Sequence, residues 1–167
     1  MPNLDVRSQS FPYPYCNTSF SYDIEPITFV EFAGVANTSS NIISSDSTAL
    51  EDFTSVRIYV GAESDYLIKL KGNTGGNYTD YFTAYIDWDD DGMFNSYERY
   101  NVGTISNSDG TDSEVISSYI FVPMVLPGAK RMRIIKHYDS YAVDPCGAYS
   151  YGQAEDYTVV VLGCGSY

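Results

Sequence analysis

Residues 66–71, Tyr66-Leu67-Ile68-Lys69-Leu70-Lys71, place Tyr66, Ile68 and Leu70 on one side of an extended chain and Lys69 and Lys71 on the other, because successive strand side chains point to opposite faces. The stretch predicts a strand with one buried and one wet face. Val159-Val160-Val161-Leu162 is apolar on both sides, so it belongs in the middle of a sheet or where a loop covers its second face. Strand-like runs also occur at 27–33, 56–60, 81–88, 115–122, 131–138 and 157–162, separated by clusters of Gly, Asn, Ser and Asp. No segment holds a helical period over successive turns. Short strands joined by polar turns predict an all-β fold, a β-sandwich of jelly-roll-like kind without internal repeats. The expected single domain spans 15–162, after a linker at 1–14 that contains Phe11-Pro12-Tyr13-Pro14, and before a tail at 163–167.

Composition narrows the possible partners. The chain has 167 residues, with 9 Lys or Arg against 22 Asp or Glu, a net charge of −13. That is the size of one domain with one core. Nucleic acids and anionic membranes need a positive face to displace counterions, so the sign is wrong for both. Aromatics make up 16% of the chain, including 17 Tyr, which is too many for a disordered acidic segment. Tyr suits a half-buried pleated surface, and it also suits a sugar site, where the ring stacks and the hydroxyl stays wet. Sheet packing and ligand contact both stand as explanations of the excess.

No apolar run is long enough to span a bilayer, and the start, Met1-Pro2-Asn3-Leu4-Asp5-Val6-Arg7, has no signal-peptide pattern. If the parent protein is secreted, this chain is expected to be an excised piece of it. Cys16, Cys146 and Cys164 lack the spacing of a zinc or thioredoxin-type site. Their wide separation suits a clasp between the two ends of a domain, which implies an oxidising compartment. A secreted or cell-surface location is therefore expected.

The most specific local pattern is Asp87-Trp88-Asp89-Asp90-Asp91-Gly92-Met93-Phe94-Asn95-Ser96-Tyr97-Glu98. It fits the calcium-loop pattern, with carboxylates at Asp87, Asp89, Asp91 and Glu98 and a backbone carbonyl at Met93. Carboxylates this close repel one another unless a divalent cation neutralises them, and Gly92 allows the sharp turn that aims them inward. The run before it is strand-like, so this is a calcium loop outside an EF-hand, and the expected calcium is structural. The bland alternative is a solvated acidic turn. Trp88 is read either as buried packing or as a stacking platform.

Apparatus for catalysis is thin, since His137 is the only histidine and no Ser or Cys sits in a recognisable nucleophile motif. The protein is expected not to be an enzyme. Residues 137–151 instead interleave aromatic rings with hydrogen-bonding groups. Tyr138 and Tyr141 are the expected stacking residues, with His137, Asp139, Tyr149 and Arg133 as further ligand contacts. Lys130, Arg131, Arg133, Lys136 and His137 crowd one predicted strand. With Lys69 and Lys71 they form either a basic patch suited to an anionic glycan or partners for nearby carboxylates.

The run Tyr149-Ser150-Tyr151-Gly152-Gln153-Ala154-Glu155-Asp156-Tyr157-Thr158-Val159 resembles the signature of the GEVED domain family. Tyr15-Cys16, Tyr85-Ile86-Asp87-Trp88, Val122-Pro123, residues 128–133 and Pro145-Cys146 follow in the family's order. Gln153 departs from the acidic residue that gives the motif its name, and Ser96-Tyr97 departs from the family's acidic turn, so the resemblance supports Glu98 least among the proposed ligands. It implies a β-sandwich accessory module of secreted, multi-modular bacterial proteins, with a Cys16–Cys146 bridge. The expected function is a non-catalytic carbohydrate-binding module, monomeric and attached to a polysaccharide-degrading catalytic domain. Its expected ligand is an algal galactan such as agarose, porphyran or carrageenan, a choice that leans on the marine bacteria in which such modules are frequent. The alternative is a structural spacer or a protein-interaction or adhesin module of a secreted peptidase or surface protein.

Overall fold

A computed structural model of the protein describes residues 10–163; Cys164 lies outside them. Two sheets face each other. One has the order β4 (Leu50–Val60), β11 (Gly152–Val161), β9 (Gly128–Tyr138), β6 (Thr79–Ile86) and β7 (Arg99–Ser106). The other has the order β3 (Val35–Thr38), β2 (Ile27–Phe32), β5 (Ser64–Gly72) and β8 (Ile116–Val122). Pairing is antiparallel except between β4 and β11. Two short strands, β1 (Ser19–Phe20) and β10 (Ala148–Tyr149), pair in parallel outside the sandwich.

The alternation at 66–71 becomes β5, with Ile68 and Leu70 fully buried. They meet Ile27, Val30 and Phe32 of β2, Ile120 and Val122 of β8, and the inner face of the five-stranded sheet: Phe82, Ala84, Ile86, Met132, Ile134, Tyr157, Val159 and Val161. The apolar run at 159–162 ends up central, as expected, since β11 is flanked on both sides. The chain leaves β6 at Ile86, two residues before the expected end, to enter the acidic loop. β3 and β7 carry mixed polar and small residues, a weak apolar pattern that the sequence does not mark as strands.

A second apolar layer lies on the outer face of the five-stranded sheet. Leu50, Tyr85, Ile135 and Ala154 from the sheet pack with Phe94 and Ala142, and Phe11, Tyr15, Phe20 and Tyr149 join them. Two segments thus cover this face, one from the N-terminal side and one from the 139–151 connection. A Cys16–Cys146 disulfide links them across 130 residues of sequence, with the Cα atoms 5.5 Å apart. Residues 11–14, expected as linker, instead join the domain: Phe11 packs in this layer, and the Arg131 guanidinium lies over its ring at 5.5 Å. Among the described residues no helix is long and apolar enough to cross a membrane.

Candidate functional site: an aromatic groove, an acidic loop and the frame between them

Outer-face residues of the five-stranded sheet form rows. Tyr85, Arg133 and Asp156 are register partners across β6, β9 and β11. The Asp156 carboxylate accepts from Arg133 Nε at 2.7 Å and Nη2 at 2.9 Å, and from Arg131 Nη1 at 3.0 Å. Arg133 and Asp156 are fully buried. Arg133 Nη1 also donates to the Pro145 carbonyl at 2.9 Å, and its guanidinium sits 5.1 Å from the Phe94 ring centre. Arg133 was expected at the ligand surface. It is instead the internal post on which the disulfide-bearing loop rests.

The rest of the 152–156 signature is also structural. Gly152 has φ +145, and a Cβ there would lie 1.8 Å from the Lys136 carbonyl oxygen, so no other residue fits. Gln153 faces inward, accepts from the Ile27 N–H at 2.9 Å and donates to the Thr48 carbonyl at 2.9 Å and to Glu51 at 2.7 Å. An amide both donates and accepts, which is what this position uses. Glu155 accepts from Tyr157 Oη at 2.7 Å and Ser39 Oγ at 3.1 Å, and burial pushes its carboxyl up to about 8.

In the acidic loop, oxygens of Asp87, Asp89 and Asp91 come within 4.8 Å of one another. Asp87 is buried and accepts from Tyr15 Oη at 2.7 Å and from the Gly92 N–H at 2.9 Å. Burial raises its pKa, and a divalent cation would oppose that change. This cluster has the hard oxygen donors a divalent metal takes. Glu98 is not one of these three. Its Oε1 accepts from the Trp88 N–H at 3.1 Å and its Oε2 from the Asn95 N–H at 2.9 Å, so it ties the two ends of the loop together. Met93 keeps its side chain exposed and gives its N–H to Asp91 at 2.9 Å. Trp88 is buried and donates its indole N–H to Tyr100 at 2.8 Å, which settles it as packing.

At the other end of the sheet four tyrosine rings follow one another. Tyr22 stacks on Tyr151 at 4.6 Å, Tyr151 meets Tyr138 edge-on at 6.2 Å, and Tyr138 meets Tyr78 edge-on at 5.6 Å. A cleft of about 410 Å³ is lined by Glu25, Gly75, Tyr78, Tyr138 and Tyr151. A second of about 420 Å³, lined by Ser21, Tyr22, Asp23 and Ser45 among others, shares Tyr151 with it. Burial pushes Glu25 up to about 7. Just inside lie Asp80 and Lys136, both fully buried and paired, with the ammonium also donating to the Asn73 carbonyl at 2.8 Å.

Of the expected ligand residues, Tyr138 reaches this groove. His137, on the outer face, packs against Tyr149 at 4.5 Å and turns Nδ1 to the Ser140 carbonyl at 3.0 Å. The Tyr149 hydroxyl donates to the Asp144 carbonyl, pinning its own loop. Tyr141 packs edge-on against Tyr81 at 4.9 Å, and Asp139 occupies a turn at φ +66. Of the two readings of the basic strand, the patch does not assemble, because strand alternation sends Lys130 and Lys136 to one face of β9 and Arg131, Arg133 and His137 to the other. Lys69 pairs with Glu31 at 3.7 Å. Tyr22, Glu25 and Tyr78 were missed: each sits in an irregular turn far along the sequence, with no local pattern to mark it.

Residues 81–160 match the family model of the GEVED domain, just under half of the chain. No curated protein matches it.

Proposed function

We propose, from the match of residues 81–160 to the GEVED domain model, that the protein is a non-catalytic carbohydrate-binding module of a secreted polysaccharide-degrading enzyme, with algal galactans as its ligand class. The observation that carries this reading is the groove of Tyr22, Tyr78, Tyr138 and Tyr151 beside Glu25. Tyr22 and Tyr78 are more than half exposed. Aromatic rings take the apolar C–H faces of a sugar, and the hydroxyls and the carboxyl take its O–H groups. The module would hold an attached catalytic domain close to its substrate and so raise its effective concentration.

Affinity electrophoresis through galactan-containing gels tests the reading. Retardation is expected, and is expected to disappear in Tyr78→Ala and Tyr138→Ala while Tyr141→Ala keeps it. Unchanged mobility in every polysaccharide gel would overturn the reading. The alternative, a protein-interaction module, draws its support from the exposed Phe121, Met124 and Leu126 near the acidic loop. In that case the tyrosine substitutions would leave function intact and changes at Met124 and Leu126 would not. Calcium in the Asp87, Asp89 and Asp91 cluster is proposed as a structural ion that fixes the loop.

A further inference from the structure

We propose that the tyrosine groove selects uncharged polyhydroxylated chains, neutral glycans, and rejects sulfated or carboxylated ones. The inference rests on the carbohydrate reading above and narrows it to a ligand class. Its first support is the lining of the two clefts: Glu25 and Asp23 carry the ionisable acids there, and among the described residues neither cleft is lined by Lys or Arg. The second is the fate of the nearby cations. Lys136 has no solvent exposure, and its ammonium is held by Asp80 and the Asn73 carbonyl. Arg131 and Arg133 are committed to Asp156 on the opposite face of the sheet.

The third support is the position of the acids. Asp80, the direct cross-strand partner of Tyr138, is fully buried behind the groove and held by Lys136, so a ligand does not reach it. The Glu25 carboxyl is set so close to Gly75 that a Cβ there would lie 2.4 Å from Oε1. The acceptors the groove itself presents are therefore the Glu25 carboxyl and, in the adjoining cleft, Asp23. Sugar hydroxyls supply the hydrogens such acceptors take. A sulfate supplies only acceptor oxygens and a charge, which asks for the forked donors of arginine. Here it would meet carboxylates, and like charges brought together oppose binding.

The test is calorimetric titration of the intact chain at about pH 8, where Glu25, held near 7, is ionised. The probes are neutral and sulfated oligosaccharides of the same galactan and glucan backbones. Expected is binding of a neutral oligosaccharide at least about tenfold tighter than its sulfated counterpart, a difference of about 1.4 kcal/mol. Glu25→Gln should narrow that gap, and exposed Glu63→Gln, which removes the same charge elsewhere, should leave it as it was. That pair of variants separates the groove's own field from the general repulsion of a chain with net charge −13. Equal or tighter binding of the sulfated sugar, abolished by Tyr78→Ala, would overturn the inference and leave the carbohydrate reading standing. A gap closed equally by both Glu variants would also overturn it. Binding of neither sugar would overturn both.

Discussion

Arg133 and Asp156 are register partners on β9 and β11, joined by two hydrogen bonds of 2.7 and 2.9 Å with neither side chain open to solvent. Above them rest the Pro145 carbonyl, the disulfide sulfur of Cys16 at 3.8 Å and the Phe94 ring. One ion pair thus supports the acidic loop and both segments that cover the sheet.

Breaking that pair should cost far more than any surface charge. Asp156→Asn leaves a buried guanidinium without its countercharge, for which about 3–5 kcal/mol is expected. Lys69→Ala removes a partly exposed pair with Glu31 and should cost less than about 1 kcal/mol. Urea denaturation of the two variants checks the contrast. Equal losses would show that the buried pair does not hold the outer layer.

Glu155 makes stability depend on pH in a set direction. Burial raises its carboxyl from 4.5 to about 8 in the folded protein, whereas the unfolded chain ionises near the ordinary value. The native state therefore holds a proton that unfolding releases. Stability from this group is complete below about pH 4.5 and is lost as pH rises through about 8. Thermal melts should show a Tm lower at pH 8 than at pH 5 by several degrees, since each tenfold difference in proton affinity between the folded and unfolded chain is worth about 1.4 kcal/mol. Glu155→Gln, the neutral isostere, should flatten the slope without abolishing it, because Glu25 is raised to about 7 and acts in the same direction. An unchanged slope in the variant would mean that Glu155 is already ionised.

These two carboxylates show how far the sequence could be followed. The alternation of 66–71 and the double-sided run at 159–162 marked strands because burial imposes a period of two on any sheet, and both strands lie where that pattern puts them. The pairing of Asp156 with Arg131 and Arg133 was legible as one of two options, since opposite charges on neighbouring predicted strands have few other uses in a core. The groove was not legible. Tyr22 and Tyr78 are 56 positions apart and meet Tyr138 and Tyr151 only after the connections fold over the sheet end, so no spacing in the chain encodes their proximity. Glu98 is ambiguous in sequence for a different reason. A calcium-loop pattern and a turn-capping pattern both ask for an acid at that place, and here the backbone N–H groups of Trp88 and Asn95 take it.

That distinction separates Glu98 from the proposed metal ligands Asp87, Asp89 and Asp91. Millimolar calcium should raise Tm and EDTA should reverse it, since an ion bound to the native state alone stabilises by about 2.7 kcal/mol at a hundredfold excess over Kd. Asp89→Ala and Asp91→Ala should abolish the response. Glu98→Gln should lower the baseline by about 1–3 kcal/mol, having lost an acceptor for a buried N–H, yet keep the calcium response. A melt indifferent to calcium and EDTA would reduce the loop to a hydrogen-bonded acidic turn.

The disulfide predicts where the molecule loosens first. Cys16 and Cys146 tie together the two segments that cover Tyr85, Ile135 and Ala154, and they take no part in the core between the sheets. Reduction, or Cys16→Ser with Cys146→Ser, should cost about 2–5 kcal/mol. The loss should also be uneven. Amide hydrogen exchange is expected to speed up at Ser19, Ser21 and Gly147, whose N–H groups bond across or within the covering segments, because such segments open independently of a core that stays closed. Amides of β5 and β2, buried in the other sheet, should keep their protection until global unfolding. Tyr22 and Tyr151 belong to the same outer assembly, the Tyr22 N–H bonding the Ser150 carbonyl at 3.2 Å. Reduction should therefore weaken the proposed glycan binding along with exchange protection, even in solutions where circular dichroism still reports an intact sandwich. Uniform loss of protection across both sheets would instead make the bridge part of the global fold.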